Sequence, residues 1–203
     1  VTTAAATKTT ELLALAQRGP VRARDLDDAA IPRAYLKRLC DRGLLEQVDR
    51  GLYRLPNGPV GELSSLADVS KRVPHAVIGL LSALQAHRMT TEAPHAVWLL
   101  LERHARTPTV TTPKLEVIRA SGAAFTHGVE VRIVDGVEVA LTTPAKTVAD
   151  CFRFRRHVGL DVALAALKEY LAKRLGSIDA LVDAARADRV YPVVRPYLEA
   201  LSP

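Results

Sequence analysis

Two stretches carry the side chains most able to do chemistry. In the first, Ile31 to Arg42, cations stand at Arg33, Lys37, Arg38 and Arg42, with Leu36 and Leu39 between them. On a helix these leucines, at i and i+3, share one face and turn to the core, so the cations take the open side. Arg33 and Lys37 lie one turn apart, the spacing of a face that enters a DNA major groove about 12 Å wide. Tyr35 can meet a thymine methyl or a phosphate, and Arg42 extends the basic set at the helix end. Asp41 and Glu46 interrupt that face. The competing reading is a solvated helix face with no ligand.

The second stretch is Leu141-Thr-Thr-Pro-Ala-Lys146-Thr-Val-Ala-Asp150-Cys-Phe-Arg153. Thr143 is placed to cap a helix and Pro144 to open it, which would aim Lys146, Asp150 and Arg153 from a rigid backbone. These three could bind a phosphate or a partner's surface. Equally, Lys146 and Asp150 at i and i+4 could form an exposed ion pair of about 0.2–0.5 kcal/mol. The cations Arg153, Arg155 and Arg156 with His157 suit nucleic acid, or a helix end favoured by its dipole.

Other chemistries lack their residues. None of the six histidines forms His-Glu-x-x-His, and Cys40 and Cys151 have no partner at ligand spacing, so no metal is expected. No phosphate-cradling glycine loop, kinase loop or Gly-x-Ser-x-Gly elbow occurs, so neither a cofactor nor a catalytic residue is assigned. Two cysteines 111 positions apart read as reduced thiols of a cytoplasmic protein. The polar opening Val1–Lys8 has no signal-peptide core, and no apolar run is long enough to span a membrane.

The elements that must position these residues follow from pattern and punctuation. The chain has 203 residues, 48% hydrophobic and 25% charged, which is ordinary globular composition. A net charge of +6 leans weakly towards polyanions, while 4% aromatics argues against stacking platforms for single strands. Thr9–Arg18 reads as a helix stopped by Gly19-Pro20, Val21–Ala30 as a second and Pro32–Arg42 as a third. Leu44–Val48 and Leu52–Leu55 then read as strands about Asp49-Arg50-Gly51, with Arg50 at the tip over backbone or minor groove. Three helices and a hairpin give the winged helix-turn-helix order. Pro- and Gly-rich residues 56–61 read as a linker.

Beyond it, helices are expected at Leu63–Arg72 and Val77–His87, and strands at Val97–Leu101 and Leu115–Arg119. A hairpin is expected about Asp135-Gly136, where a type I′ turn needs two positive φ angles. Three further helices should follow the one capped by Thr143: one capped by Asp161, one by Ser177, and a last near Val194–Leu201. Trp98 should lie in the core. The fold class is α+β: a winged helix-turn-helix DNA-binding domain over residues 1–58, then a mixed domain over 59–203 with an antiparallel sheet and C-terminal helices.

The order of these parts resembles the AbiEi family, the antitoxins of bacterial type IV toxin–antitoxin pairs. The resemblance rests on the wing Arg50-Gly-Leu-Tyr-Arg-Leu55, on Ala76 to His87, and on Thr143-Pro144-x-x-Thr147-x-x-Asp150. It implies an N-terminal domain that binds inverted repeats in its own promoter and represses it. It also implies a C-terminal domain that counters a nucleotidyltransferase-like toxin. The family usually has Arg-Thr where this chain has Lys146-Thr147, which keeps the positive charge. The residues put forward are therefore Arg33, Tyr35, Lys37, Arg38, Arg42 and Arg50 for DNA, and Lys146, Asp150, Arg153 and Arg156 for an antitoxicity surface. Two alternatives stay open: an antitoxin acting as an atypical kinase on its toxin, and a ligand-responsive regulator with no toxin.

Overall fold

The computed structural model describes residues 2–56 and 62–201, with side chains from Thr7 onward. The expected linker, apart from Pro56, lies outside the described residues. Two compact units emerge: Val1–Arg72 with Ile133–Glu138, and Val73–Arg132 with Val139–Pro203. The expected boundary at residue 58 falls among undescribed residues, and the first unit continues to Arg72.

The first unit contains α1 (Thr2–Arg18), β1 (Val21–Arg22), α2 (Asp25–Asp28), α3 (Ala34–Asp41), β2 (Glu46–Asp49), β3 (Leu52–Arg54) and α4 (Ser64–Arg72). The helix expected from Val21 to Ala30 is instead a two-residue strand and one helical turn. Pro20 precedes a buried, β-branched Val21, which pairs with Tyr53, and the Arg22 N–H donates to the Asp25 carboxylate at 2.9 Å. That Asx-type bond holds the chain extended until Asp25, where the helix begins. The sheet order is β1-β3-β2, all antiparallel. Leu12, Leu26, Leu36, Leu39 and Leu45 fill the core beneath it. Helix, strand, two helices and a hairpin make a winged helix.

The hairpin tip grouped with this unit makes a close backbone approach to the turn after α1. A Cβ on Gly19 would lie 1.8 Å from the Asp135 carbonyl oxygen, and one on Gly136 would lie 1.7 Å from that of Arg18. Glycine is required at both positions.

The second unit is built on β4 (Val77–Ile78), α5 (Leu80–Ala86), β5 (Val97–Glu102), β6 (Leu115–Ala120) and α6 (Ala123–Thr126). The hairpin β7 (Val129–Val134) and β8 (Val137–Thr142) follows, then α7 (Pro144–Arg153), α8 (Arg155–Val158), α9 (Leu160–Ala172), α10 (Ile178–Ala187) and α11 (Tyr191–Leu201). The strand order is β6-β5-β4-β8-β7. The sheet is mixed rather than wholly antiparallel: β4 runs antiparallel to β5 but parallel to β8, and β5 is parallel to β6. The α+β class stands.

Three local expectations change. Val77 and Ile78, expected in a helix, pair with Leu100 and Leu99, and extended Gly79 lets the chain pass where a Cβ would lie 2.2 Å from Leu100 Cδ1. The Thr143 helix stops at Arg153, so Arg155 belongs to the separate turn α8. Gly159, with φ of 98°, occupies the cap position of α9, which begins at Leu160 and leaves Asp161 inside its first turn. The Asp135-Gly136 turn has φ of 47° and 70°, as a type I′ turn needs. Trp98 is buried in β5, and Val148, Phe152, Leu167, Tyr170 and Leu181 pack the helical core.

Candidate functional sites: a basic helix face and a buried helix motif

Leu36 and Leu39 anchor α3 in the core, which turns Lys37, Arg38 and Arg42 to solvent. Tyr35 is half-buried, and the Arg38 guanidinium lies over its ring at 5.1 Å, which fixes its direction. The wing turn is shaped by Asp49, whose carboxylate accepts the Arg50 N–H at 2.7 Å, while Gly51 takes φ of 73°. Arg50 is left exposed at the tip. Among the described residues, Lys37, Arg38, Arg42 and Arg50 form no ion pair, so their charge is locally uncompensated.

Arg33 differs from the other four. Its guanidinium forks onto Asp27, with Nη2 2.5 Å and Nε 3.2 Å from the two carboxylate oxygens. That hydrogen bond holds the Asp27 carboxyl below its ordinary range. Glu46, which interrupts the face in sequence, is neutralised by Arg54 at 2.5 Å. Asp41 stays exposed.

The second stretch is placed otherwise than expected. Lys146 and Asp150 are not on the surface: they are 1% and 0% exposed. The residues around them explain the motif position by position. The Thr143 hydroxyl accepts the Lys146 N–H at 3.4 Å, and Pro144 occupies the first turn, where its missing N–H costs nothing. The Thr147 hydroxyl donates to the Thr143 carbonyl at 2.8 Å and lies 2.8 Å from the Thr142 hydroxyl, which ties the helix start to the end of β8. Lys146 Nζ donates to the Asp150 carboxylate and, at 3.2 Å, to Asp188 Oδ2.

Two carboxyl groups therefore share one buried ammonium. Burial pushes the Asp150 carboxyl up to about 8, with ionised Asp188 adding to the effect and Lys146 opposing it. Burial raises Asp188 as well, with Lys146 opposing, so the two acids titrate as a pair around one ammonium, and Asp150 holds its proton at neutral pH. Asp150 Oδ2 and Asp188 Oδ1 accept no hydrogen bond, although Asp188 Oδ1 lies 3.1 Å from Lys146 Nζ, and this fits a proton held between the two acids. Cys151, fully buried beside them, has its thiol pushed up by burial and is not a nucleophile.

Of the proposed antitoxicity residues, Arg153 and Arg156 reach solvent. Arg153 is 31% exposed and donates to the Asp188 carbonyl at 2.7 Å, and Arg156 is exposed on α8. Sequence reading missed Asp188, the C-cap of α10, because it is separated from Lys146 by 42 positions and only the fold joins them. It also missed a second network. His87 Nε2 lies 2.7 Å from the Thr142 carbonyl, and Arg132 reaches His87 Nδ1 at 3.2 Å and the Ala86 carbonyl at 2.8 Å. Burial lowers the His87 pKa, so the neutral ring donates from Nε2 and accepts at Nδ1.

Among the described residues no three metal-ligating side chains gather, and no helix is long and apolar enough to cross a membrane.

Residues 10–56 match the family model described as transcriptional regulator, AbiEi antitoxin. The resemblance to AbiEi antitoxins is thereby borne out over the winged helix. The AbiEi match covers α3 and the wing, the elements that carry the uncompensated cations. Over the longer span, the fold is similar to a crystal structure of the RV2827C protein from Mycobacterium tuberculosis. The TM-score is 0.58 and the identity 14%, with 95% of this chain and 81% of that one covered. That likeness extends the fold, and the fold alone, to the second unit. No curated protein matches the chain.

Proposed function

We propose that the protein is an antitoxin that binds inverted repeats in its own promoter and represses it, and that it counters a nucleotidyltransferase-like toxin. The observation that carries the DNA reading is the set Lys37, Arg38, Arg42 and Arg50. These are four exposed cations without carboxylate partners, on α3 and the wing of a segment that matches an antitoxin regulator family. In this reading α3 enters the major groove, with Lys37 and Tyr35 nearest base edges, while Arg42 and Arg50 meet phosphates. Arg33 contributes only if DNA displaces it from Asp27. Countering the toxin is assigned to the second unit, with Arg153 and Arg156 as its exposed candidates.

Gel shifts on the chain's own promoter test the first half. Lys37→Ala with Arg42→Ala should weaken binding more than tenfold at moderate salt. Unchanged shifts would remove α3 from the interface. Co-expression with a nucleotidyltransferase-like toxin, sought in the gene next to this one, tests the second half: Arg156→Ala should reduce rescue while leaving promoter binding intact.

One observation favours a ligand-responsive regulator. A cavity of about 630 Å³ in the second unit has Leu84, Met89 and Ala166 along its floor and Arg88, Asp161 and Lys173 at its rim. Its size is that of small-molecule sites. Promoter affinity that changes with a metabolite only while this cavity is open, and not after Ala166→Phe, would favour that reading.

A further inference from the structure

A smaller cavity of about 240 Å³ opens where the ends of β6, α7 and α10 meet, lined by Ser121, Gly122, Ala123, Arg153, Ala187 and Arg189 among others. Two arginines line it and no acidic residue does. Asp188, between two lining residues, has its side chain fully buried: its carboxyl faces Lys146 at 3.1 Å and lies 3.9 Å from Arg153 Nη1, a long contact that leaves Arg153 only partly compensated. The two arginines are held differently. Arg153 is anchored by the Asp188 carbonyl at 2.7 Å and lies over the Phe154 ring at 5.3 Å, so its planar fork is fixed before any ligand arrives. Arg189 follows the C-cap of α10 in a left-handed conformation, φ 56°. Its backbone is pinned on both sides by Asp188 N–H to the Ala184 carbonyl, 3.0 Å, and Val190 N–H to the Ala185 carbonyl, 2.8 Å. Among the described residues its guanidinium has no hydrogen bond or ion pair.

Size and charge together narrow the occupant. The volume is below the roughly 300–1,000 Å³ of sites that enclose a drug-sized molecule, so the cavity suits one compact group. Two guanidinium forks are donors only, and the Ser121 hydroxyl can add one more donor, so together they match the several acceptor oxygens of a tetrahedral oxyanion. Two forks converging on one compact recess match the three free oxygens of a terminal phosphate better than the two of a diester phosphate along a duplex. We propose that this cavity is a phosphomonoester site, in which Arg153 and Arg189 bind a terminal phosphate group and the rest of the ligand stays outside. It is separate from the basic face of α3, and it stands whether or not that face binds DNA.

Calorimetric titration of the full chain at low ionic strength, in phosphate-free buffer, tests it with inorganic phosphate, AMP and adenosine. Wild type should bind phosphate and AMP saturably at one site and leave adenosine unbound. AMP tighter than phosphate would show that groups outside the cavity add contacts; equal affinities would show that the terminal phosphate alone is read. Arg189→Gln should weaken both at least tenfold without lowering the melting temperature, because its side chain holds nothing in place. Arg174→Gln removes one exposed cation elsewhere in the same unit and should stay within twofold. Absence of saturable binding in wild type overturns the proposal. So does equal weakening by Arg174→Gln, which would mark a general charge effect, or AMP binding that survives Arg189→Gln.

Discussion

Asp150→Asn and Lys146→Ala should differ sharply in effect, though both remove one member of the same buried hydrogen-bonded cluster. Lys146→Ala removes the cation 3.1 Å from Asp188 and leaves only the longer 3.9 Å contact with Arg153, in a site where Lys146, Asp150 and Asp188 are 0–1% exposed. Breaking a buried pair on one side costs about 3–5 kcal/mol. That is a large share of the 5–15 kcal/mol typical of a whole protein, and it corresponds to a melting drop of roughly 6–20 °C. Asp150→Asn replaces a carboxyl that already holds its proton at pH 7 by a neutral group of the same shape, and it removes the ionisation that favours the unfolded wild type, so at pH 7 it should be neutral or stabilising. The pH dependence separates the two further. With a folded pKa of about 8 against 3.8 for the free side chain, the native state keeps a proton that the unfolded chain releases. The stability from Asp150 is therefore fully present below about 3.8 and is lost as pH rises towards 8. Within that window stability falls as pH rises. Urea unfolding from pH 5 to 9 should show this fall in wild type and a flatter profile in Asp150→Asn. Equal losses for the two variants at pH 7 would mean that Asp150 is ionised and would refute the shared-proton account. An unchanged melting temperature for Lys146→Ala would place the pair in water.

Three further outcomes follow from other parts of the structure. Arg50→Ala should weaken every duplex alike and lower the salt slope by about one phosphate contact, measured by fluorescence anisotropy at several salt concentrations; a sequence-selective loss would show that the wing reads bases. His87 is half-buried and held neutral, its pKa lowered from 6.5 by burial, so the stability it supports is present above 6.5 and lost as pH falls below it; His87→Gln should flatten the acid branch of the same unfolding series. Gly136→Ala places a methyl 1.7 Å from the Arg18 carbonyl oxygen at φ of 70°, and should cost more than about 2 kcal/mol in thermal unfolding.

What the sequence made legible was local. Gly19-Pro20, Gly43, Asp135-Gly136, Thr143-Pro144 and Ser177 punctuate the chain by backbone rules that need no partner, and each stands where punctuation puts it. Leu36 and Leu39 at i and i+3 were enough to aim Lys37 and Arg38 outward. The failures are non-local. Val77 and Ile78 read as the start of a helix because an apolar run has no period of its own; the strand partners Leu99 and Leu100 decide the matter, and they lie more than twenty residues on. Arg33 has the same spacing to Lys37 whether free or paired, and its engagement depends on where the short α2 turn sets Asp27.

The Thr143–Asp150 motif shows the same limit at the level of function. Charged residues at i and i+4 on a capped helix are an exposed pair wherever one helix face meets water. Here α7 is enclosed: every residue from Ala145 to Phe152 is buried, so the period cannot reveal an open side. A charge on such a helix must be balanced within the fold, and Asp188 at the end of α10 does that across 42 positions. Each polar member then holds part of the architecture. Thr143 caps α7, Thr147 ties the helix to β8, and Lys146 joins α7 to α10. The polar residues of this motif are thus engaged within the fold, and Arg153 at its end reaches solvent, at 31% exposure.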